Sequence, residues 1–289
     1  MSPIIIDIDQ SVKKIDNERR IDMRRWHATV RYGCSWRSMD RLVADLQRCL
    51  PKTHGPVLIG SGDFHHLSLP LIARHRDTPM RVVVFDNHPD NMRTWLGLDC
   101  GSWVSHVAAL PHVARLDVVG ITSADMTVKN AWQHRLSPLI RRKLTYWTIG
   151  VNTRWFARVG LGHAEKHFHD ADQLLSTFCQ DLAATPMATY LSIDKDVLRP
   201  DQVQTNWDQG EMTIAHLLQA IKALQGRVVS ADITGEISSF RYPQWYKRLL
   251  SAMDGQGATF TDQALLAHQA KQHQCNLTLI AALNKAWVP

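Results

Sequence analysis

The chain of 289 residues carries 45% hydrophobic side chains and a net charge of +6, from 33 Lys and Arg against 27 Asp and Glu. That length can bury a large core, and the dispersed basic residues favour a solvated exterior over a nucleic-acid-binding surface. The apolar runs are too short for a membrane span or a signal peptide, and the five Cys are scattered without a CxxC pair. We therefore expect a cytoplasmic protein that binds neither nucleic acid nor membranes.

The first half of the sequence alternates short apolar runs with helical patterns. The apolar runs predict strands over residues 57–59, 82–85, 114–121 and 144–151, and an edge strand over residues 4–9. Helical spacing covers residues 19–31, 38–50 and 101–110.

The second half continues this alternation. Strands are predicted over residues 188–193 and 227–233, and helices over residues 171–182, 213–224, 243–253 and 261–286. Thr213 suits a helix N-cap and Gly226 a helix stop, whereas residues 152–170 are less periodic and predict a loop. The last helix is expected along an edge of the sheet. The whole pattern predicts an α/β fold, a three-layer sandwich with a mainly parallel central sheet, as one domain over residues 1–289.

The segment RVVVFDNHPD (81–90) is the part of the sequence around which the rest is organised. Its apolar run is typical of a strand buried on both faces, and it stops abruptly at a cluster of Asp86, His88 and Asp90. Residues two apart in an extended chain point the same way, and carboxylate with imidazole suits divalent manganese, zinc or iron. The alternative is a solvated turn in which Asp is only a turn former.

Polar residues follow four of the predicted strands. They are Asp63, His65 and His66; Asp86, His88 and Asp90; Asp194 and Asp196; and Asp232 and Glu236. The carboxyl ends of parallel strands share one edge of a sheet, where so many carboxylates would repel each other unless cations held them. If carboxylates bridge, the set is large enough for two metal ions about 3.5–4 Å apart, which can hold a shared hydroxide.

These motifs, in this order, resemble those of the ureohydrolase (arginase and agmatinase) family. The family's Gly-Gly-Asp-His-Ser, running into Ile-Thr-Leu-Pro, is similar to GDFHHLSLP at residues 62–70, without a gap. Its Asp-Ala-His-x-Asp matches residues 86–90, and its Ser-x-Asp-x-Asp matches residues 192–196. The resemblance covers residues 57–240 and implies an arginase-like fold.

The resemblance also implies a set of metal ligands. They are His65, Asp86, His88, Asp90, Asp194 and Asp196. It implies two Mn²⁺ ions per chain, or another divalent transition metal in their place, and hydrolysis of a guanidino C–N bond with release of urea. We expect the protein to form a homo-oligomer.

Other residues are candidates for substrate binding and proton transfer. The acid that grips the substrate guanidinium in the family falls near Glu236, and Asp208 could take that role instead. Asp90 would orient the hydroxide and relay its proton. His106 could shuttle a proton to the leaving amine or simply pack on its helix, and Trp95 and Trp103 could line the substrate site or belong to the core.

The sequence departs from the family pattern at several positions. Gly235 occupies the slot expected for the guanidinium-binding acid, Arg199 replaces a third Asp, and the Ser-Gly-Asn and His-Gly pattern is absent after Asp90. The substrate could therefore be arginine, agmatine or another guanidino compound, free or within a peptide. The alternatives are a formimino or amide hydrolase of the same fold, and an inactive relative that only binds metal or ligand.

Overall fold

A central parallel sheet runs through the part of the chain that the computed structural model describes, residues 1–253 and 261–288. The strands are β1 (Ile4–Asp7), β2 (Arg19–Asp22), β3 (Gly33–Cys34), β4 (Val57–Gly60), β5 (Met80–Phe85), β6 (Leu98–Asp99), β7 (Val113–Ile121), β8 (Leu144–Ile149), β9 (Glu165–Phe168), β10 (Thr189–Asp194) and β11 (Val228–Thr234). The helices are α1 (His27–Val30), α2 (Trp36–Cys49), α3 (Ser68–Ile72), α4 (Val104–Ala108), α5 (Ser137–Ile140), α6 (Trp155–Arg158), α7 (Ala171–Ala184), α8 (Ile214–Ala223), α9 (Trp245–Met253) and α10 (Asp262–Ala286).

The sheet is covered on both faces. Its strand order is β2-β1-β4-β11-β10-β5-β7-β8-β9, with each neighbouring pair parallel, and β3 pairs separately with β6. Successive residues of β5 point to opposite faces: Val82 and Val84 pack in one apolar cluster with Leu42 of α2, whereas Val83 packs in a second cluster with Phe178 of α7. The predicted three-layer α/β sandwich is therefore confirmed.

The positions of two helices follow directly from their residues. In α2, Met39, Leu42 and Leu46 recur at helical spacing and are buried. In α8, the Thr213 side chain accepts a hydrogen bond from the backbone of His216, and His216 caps the Thr213 backbone in return. The predicted N-cap at Thr213 is confirmed.

The N-terminal prediction needs correction. Residues 19–31 were expected to be helical, but Arg19–Asp22 forms the edge strand β2 and the helix is limited to His27–Val30. The strand at Ile4–Asp7 is therefore not an edge strand, because it pairs on both sides. The arginines of β2 lie on the solvated side of this edge, which leaves Ile21 as its buried residue.

Two further predictions differ from the structure. A loop was expected over residues 152–170, yet Glu165–Phe168 forms β9 at the other edge of the sheet. The long helix α10 does not follow a sheet edge. Its buried Cys275 and Leu279 join the apolar cluster on the face of β11, an interior strand, because they need an apolar surface to cover.

Among the described helices, none is both long and apolar enough to cross a lipid bilayer.

The strand order gathers the sequence motifs. The four strands that end in the predicted polar residues are β4, β11, β10 and β5, and they are consecutive neighbours in the sheet. All are parallel, so their carboxyl ends meet at one edge in the middle of the sheet.

Candidate metal centre

Short turns after β4, β5 and β10 carry the candidate ligands. A 3-10 turn over Gly62–Leu67 follows β4 and presents His65, and a 3-10 turn over Lys195–Val197 follows β10. Asp194 caps the second turn by accepting a hydrogen bond from Asp196 N at 3.0 Å, which brings both carboxylates to the same edge.

The imidazole of His65 lies at the middle of a first carboxylate group. Its Nδ1 is 3.0 Å from Asp86 Oδ2, 3.3 Å from Asp90 Oδ2 and 3.4 Å from Asp194 Oδ2. All four side chains are buried. Their ligand-capable atoms therefore converge on one small volume below the protein surface.

His88 is the imidazole of a second group. Its Nδ1 lies 3.1 Å from Asp196 Oδ2 and 3.5 Å from Asp86 Oδ1. Asp86 thus turns one oxygen to each imidazole, the arrangement expected of a carboxylate shared by two cations. Potential ligand atoms of His65, Asp86 and Asp194, and those of Asp86, His88 and Asp196, lie within 4.8 Å of one another in each set.

The orientation of His65 is fixed by a chain of buried hydrogen bonds. Ser192 Oγ donates to Asp232 Oδ1 at 2.7 Å and lies 2.9 Å from His65 Nε2. Because the single hydroxyl proton of Ser192 goes to Asp232, Nε2 of His65 is the donor to Ser192. In the neutral imidazole, Nδ1 then carries the lone pair, which is the tautomer that a metal ligand requires.

His88 has the same arrangement with a different partner. Its Nε2 lies 2.8 Å from Asp208 Oδ1, and Asn87 Nδ2 donates to the Asp208 carboxylate at 3.2 Å. Asp208, which the sequence suggested as a substrate-binding acid, is therefore brought to the centre, where it also orients an imidazole. Sequence spacing does not reveal this contact, because 120 residues separate the two side chains.

Asp90 is held in an unusual backbone conformation. Its φ of 45° lies in the left-handed region that Asp tolerates better than most residues. Trp103 Nε1 donates to Asp90 Oδ2 at 2.6 Å, so Trp103 belongs to the core and also supports the centre. Burial, and then the Asp86 carboxylate, raise the pKa of Asp90 to about 7.

The donor set fits divalent cations. Burial and the neighbouring Asp86 raise the pKa of Asp196 to about 6, and burial with the Asp196 charge raises the pKa of Asp194. The buried atoms His65 Nδ1 and Asp86 Oδ2 face each other at 3.0 Å, yet neither has a hydrogen-bond partner among the described residues. Cations would neutralise the crowded carboxylates and occupy these unpartnered atoms.

Glu236 does not reach the centre. Its Oε1 accepts hydrogen bonds from Lys195 Nζ at 2.5 Å and Asn276 Nδ2 at 2.6 Å, all three side chains being buried. A Cβ at Gly235 would collide with Asp194 Oδ1 and Lys195 N, so the preceding position cannot carry an acid either. The substrate-binding role expected of Glu236 is corrected to that of an internal counter-ion.

His106 also lies away from the centre. Its ring packs edge-on against Trp36, with ring centroids 4.8 Å apart, and it is not among the described residues that line the cavity over the centre. The structure therefore favours the packed histidine over the proton shuttle.

A cavity of about 730 Å³ opens onto the centre, and all six candidate ligands line its floor. Four aromatic side chains form much of its wall: Tyr32, Trp95, Trp132 and Trp207. Asp99 and Asp125 add carboxylates to the wall, and Arg93 adds a cation. The cavity thus combines an acidic floor with an aromatic mouth.

Known proteins resemble this chain in sequence. The sequence profile of the Arginase family matches residues 10–240. An uncharacterised protein of Thermotoga maritima is 27% identical over 205 residues, covering 71% of this chain and 67% of that protein.

Solved structures show the same fold. Arginase from Bacillus subtilis superposes with a TM-score of 0.54 at 13% identity, over 97% of this chain and 98% of that one. Formimidoylglutamase from Bacillus subtilis subsp. subtilis superposes with a TM-score of 0.51 at 13% identity, over 98% and 87% of the two chains. At these identities the likeness establishes the fold, and the profile match over most of the sequence establishes the family. The chain belongs to the arginase family of hydrolases.

Proposed function

We propose that the protein is a dinuclear-metal hydrolase that cleaves a guanidino C–N bond and releases urea. One observation carries this proposal: two imidazoles and four carboxylates converge at the floor of one cavity, with Asp86 turned towards both imidazoles. A mixed imidazole and carboxylate set suits Mn²⁺, although another divalent transition metal could take its place.

The residues divide into two groups around the proposed ions. His65, Asp86, Asp90 and Asp194 would hold one ion, and Asp86, His88 and Asp196 would hold the other. Two ions held by these residues would supply a hydroxide at neutral pH. The protein's own contribution is to fix these side chains, because Ser192 contacts His65, Asp208 contacts His88 and Trp103 contacts Asp90.

Asp90 is the residue we propose for proton transfer. The indole of Trp103 holds its Oδ2, and the buried carboxyl is placed to take the proton of the attacking water and deliver it to the leaving amine. Water adds its oxygen to the guanidino carbon, the bond to the alkyl-bearing nitrogen breaks, and urea and an amine result.

Acidic groups in and beside the cavity would hold the cationic guanidinium. Asp125 lines the cavity, whereas Asp208 is not among the described residues that line it and lies exposed beside it, 2.8 Å from the ring of the lining His88. A carboxylate can bind guanidinium through two parallel hydrogen bonds, so Asp208 replaces Glu236 as the proposed substrate-binding acid.

A formimino or amide hydrolase is the second candidate. The missing side chain at Gly235 and the internal ion pair of Glu236 with Lys195 favour it. Both remove the acid that the sequence resemblance implies for guanidinium recognition.

The test pairs metal analysis with a product screen. We expect protein loaded with Mn²⁺ to hold about two ions per chain and to release urea from at least one of agmatine, arginine, guanidinobutyrate or an arginine-containing peptide. His88→Ala should lose both properties. The control is Asp172→Asn, which changes an exposed carboxylate that pairs with His216 and is not one of the candidate ligands. Formamide from a formimino compound, without urea from any guanidino compound, would select the second candidate, and bound metal without turnover would select the inactive relative.

A further inference from the structure

Two large aromatic side chains stand in solvent at the cavity mouth. Trp95 is 93% exposed and Trp132 is 71% exposed, and both line the cavity. Their segments run side by side, since Arg93 N donates to Gln133 O at 2.7 Å. Exposed apolar surface of this size, concentrated at one site, is typical of a binding surface.

The cavity is large for a simple guanidinoalkyl compound. Its volume of about 730 Å³ lies within the range of roughly 300–1,000 Å³ for cavities that bury drug-sized ligands. A molecule such as agmatine, with its guanidinium on the acidic floor, would leave the tryptophans at the mouth uncovered. A ligand that fills the cavity therefore needs a second, apolar part that covers the tryptophans.

The charges set the direction in which such a ligand lies. The carboxylates gather at the floor, around His65 and His88, and attract the cationic end of the ligand. The tryptophans occupy the opposite, solvent end, where a flat apolar group can stack against their rings.

We propose that Trp95 and Trp132 form a subsite for an aromatic ring that the substrate carries at the end remote from its guanidinium. The preferred substrate class is then an arginine-type guanidine with an aryl-bearing cap on its α-nitrogen. The assignment of the guanidinium end of the substrate rests on the proposed function, whereas the assignment of the ring end rests on the two tryptophans alone.

Two matched probes test the subsite. Nα-Benzoyl-arginine amide and Nα-acetyl-arginine amide carry the same charge and differ in the ring. We expect calorimetry on the metal-loaded protein to show roughly tenfold tighter binding of the benzoyl probe. Trp95→Ala and Trp132→Ala should each remove most of this preference and leave acetyl-probe binding within about twofold.

Trp245→Ala is the matched control, because Trp245 is 69% exposed but is not among the described residues that line the cavity. It should keep the preference. Equal affinity of the two probes for the unaltered protein, or equal loss in the Trp245 variant, would overturn the subsite. A urea assay on the same samples separates the two proposals: a ring preference without urea refutes only the reaction, and urea without a ring preference refutes only the subsite.

Discussion

Lys195 is a completely buried cation between two proposed metal ligands. Its Nζ donates to Glu236 Oε1 at 2.5 Å and to Asn276 Oδ1 at 3.1 Å. A buried ammonium requires a counter-ion, since leaving it unpaired would carry a large desolvation penalty. Glu236 supplies that counter-ion, which explains why it faces away from the cavity.

Glu236→Gln should therefore destabilise the fold rather than act on substrate alone. We expect the free energy of unfolding to fall by about 3–5 kcal/mol, because the variant leaves Lys195 buried without its partner. The double variant Lys195→Met with Glu236→Gln should recover most of this loss, as measured by urea denaturation. Asp201→Asn, which breaks the exposed Arg199–Asp201 pair, is the control and should change stability by less than about 1 kcal/mol. A stable Glu236→Gln protein with weakened substrate binding would return the residue to the substrate site.

Ser192→Ala tests the hydrogen-bond chain behind His65. The change removes the acceptor at 2.9 Å from His65 Nε2, so the imidazole loses the contact that sets its tautomer and direction. We expect the affinity for Mn²⁺ to fall by roughly 10–100-fold, measured by competition with a chelator. Ser105→Ala, in another buried serine whose Oγ donates to Ser102 O, should leave it unchanged. Unaltered metal affinity in Ser192→Ala would show that packing alone orients His65.

At the scale of elements, the loop between β10 and α8 is fixed to the turns that carry the proposed metal ligands. Trp207 Nε1 donates to Asp63 Oδ1 at 3.2 Å, and Asn87 Nδ2 donates to Asp208 O at 3.1 Å. The loop is therefore held against the turns that come after β4 and β5. This is why Asp208 reaches His88, beside the cavity where we propose that it also binds substrate.

Two substitutions at Asp208 separate these roles. Asp208→Asn keeps an oxygen that can accept from His88, so metal content should stay near two ions, while loss of the charge should lower kcat/KM by roughly 30- to 1000-fold, or about 2–4 kcal/mol. Asp208→Ala should in addition weaken binding of one ion, detected by elemental analysis. If the Asn variant keeps full kcat/KM, Asp208 serves only His88 and the guanidinium binds elsewhere.

At the scale of the whole molecule, the buried centre couples folding, pH and metal. Burial, followed by the Asp86 charge, raises the carboxyl pKa to about 7 for Asp90 and about 6 for Asp196. Burial opposes protonation of His65 and His88, but the surrounding carboxylates outweigh it and raise their pKa values. Every one of these shifts means that the folded, metal-free protein binds more protons than the unfolded chain.

The metal-free protein should therefore lose stability as pH rises from about 4 through about 7, since stability falls with pH wherever the folded state binds more protons. Mn²⁺ replaces those protons, so the gain in Tm on adding Mn²⁺ should be larger at pH 8 than at pH 5. Thermal melts in chelator and in Mn²⁺ measure this difference, and Asp194→Ala should lose most of the gain. A gain that is the same at both pH values would contradict the proposed proton and metal exchange.

The sequence by itself determined the proposed ligand set and the layered α/β architecture. Asp86, His88 and Asp90 are close in the chain, as are Asp194 and Asp196, and each group directly follows an apolar strand. Local spacing fixes their mutual positions, and parallel strands necessarily bring their carboxyl ends to one edge. The alternation of apolar runs likewise required helices on both faces of a parallel sheet.

Only the tertiary structure decided which other side chains reach that edge. The register of β10 against β11 pairs Asp194 with Thr234, so Gly235 meets Asp194 while Glu236, one residue further, turns to Lys195 in the interior. A shift of one residue reverses the direction of a side chain at a strand end, and sequence spacing does not resolve it. The contacts of His65 with Ser192 and of His88 with Asp208 span more than a hundred residues. They exist because packing and strand register, not local sequence, bring distant turns together.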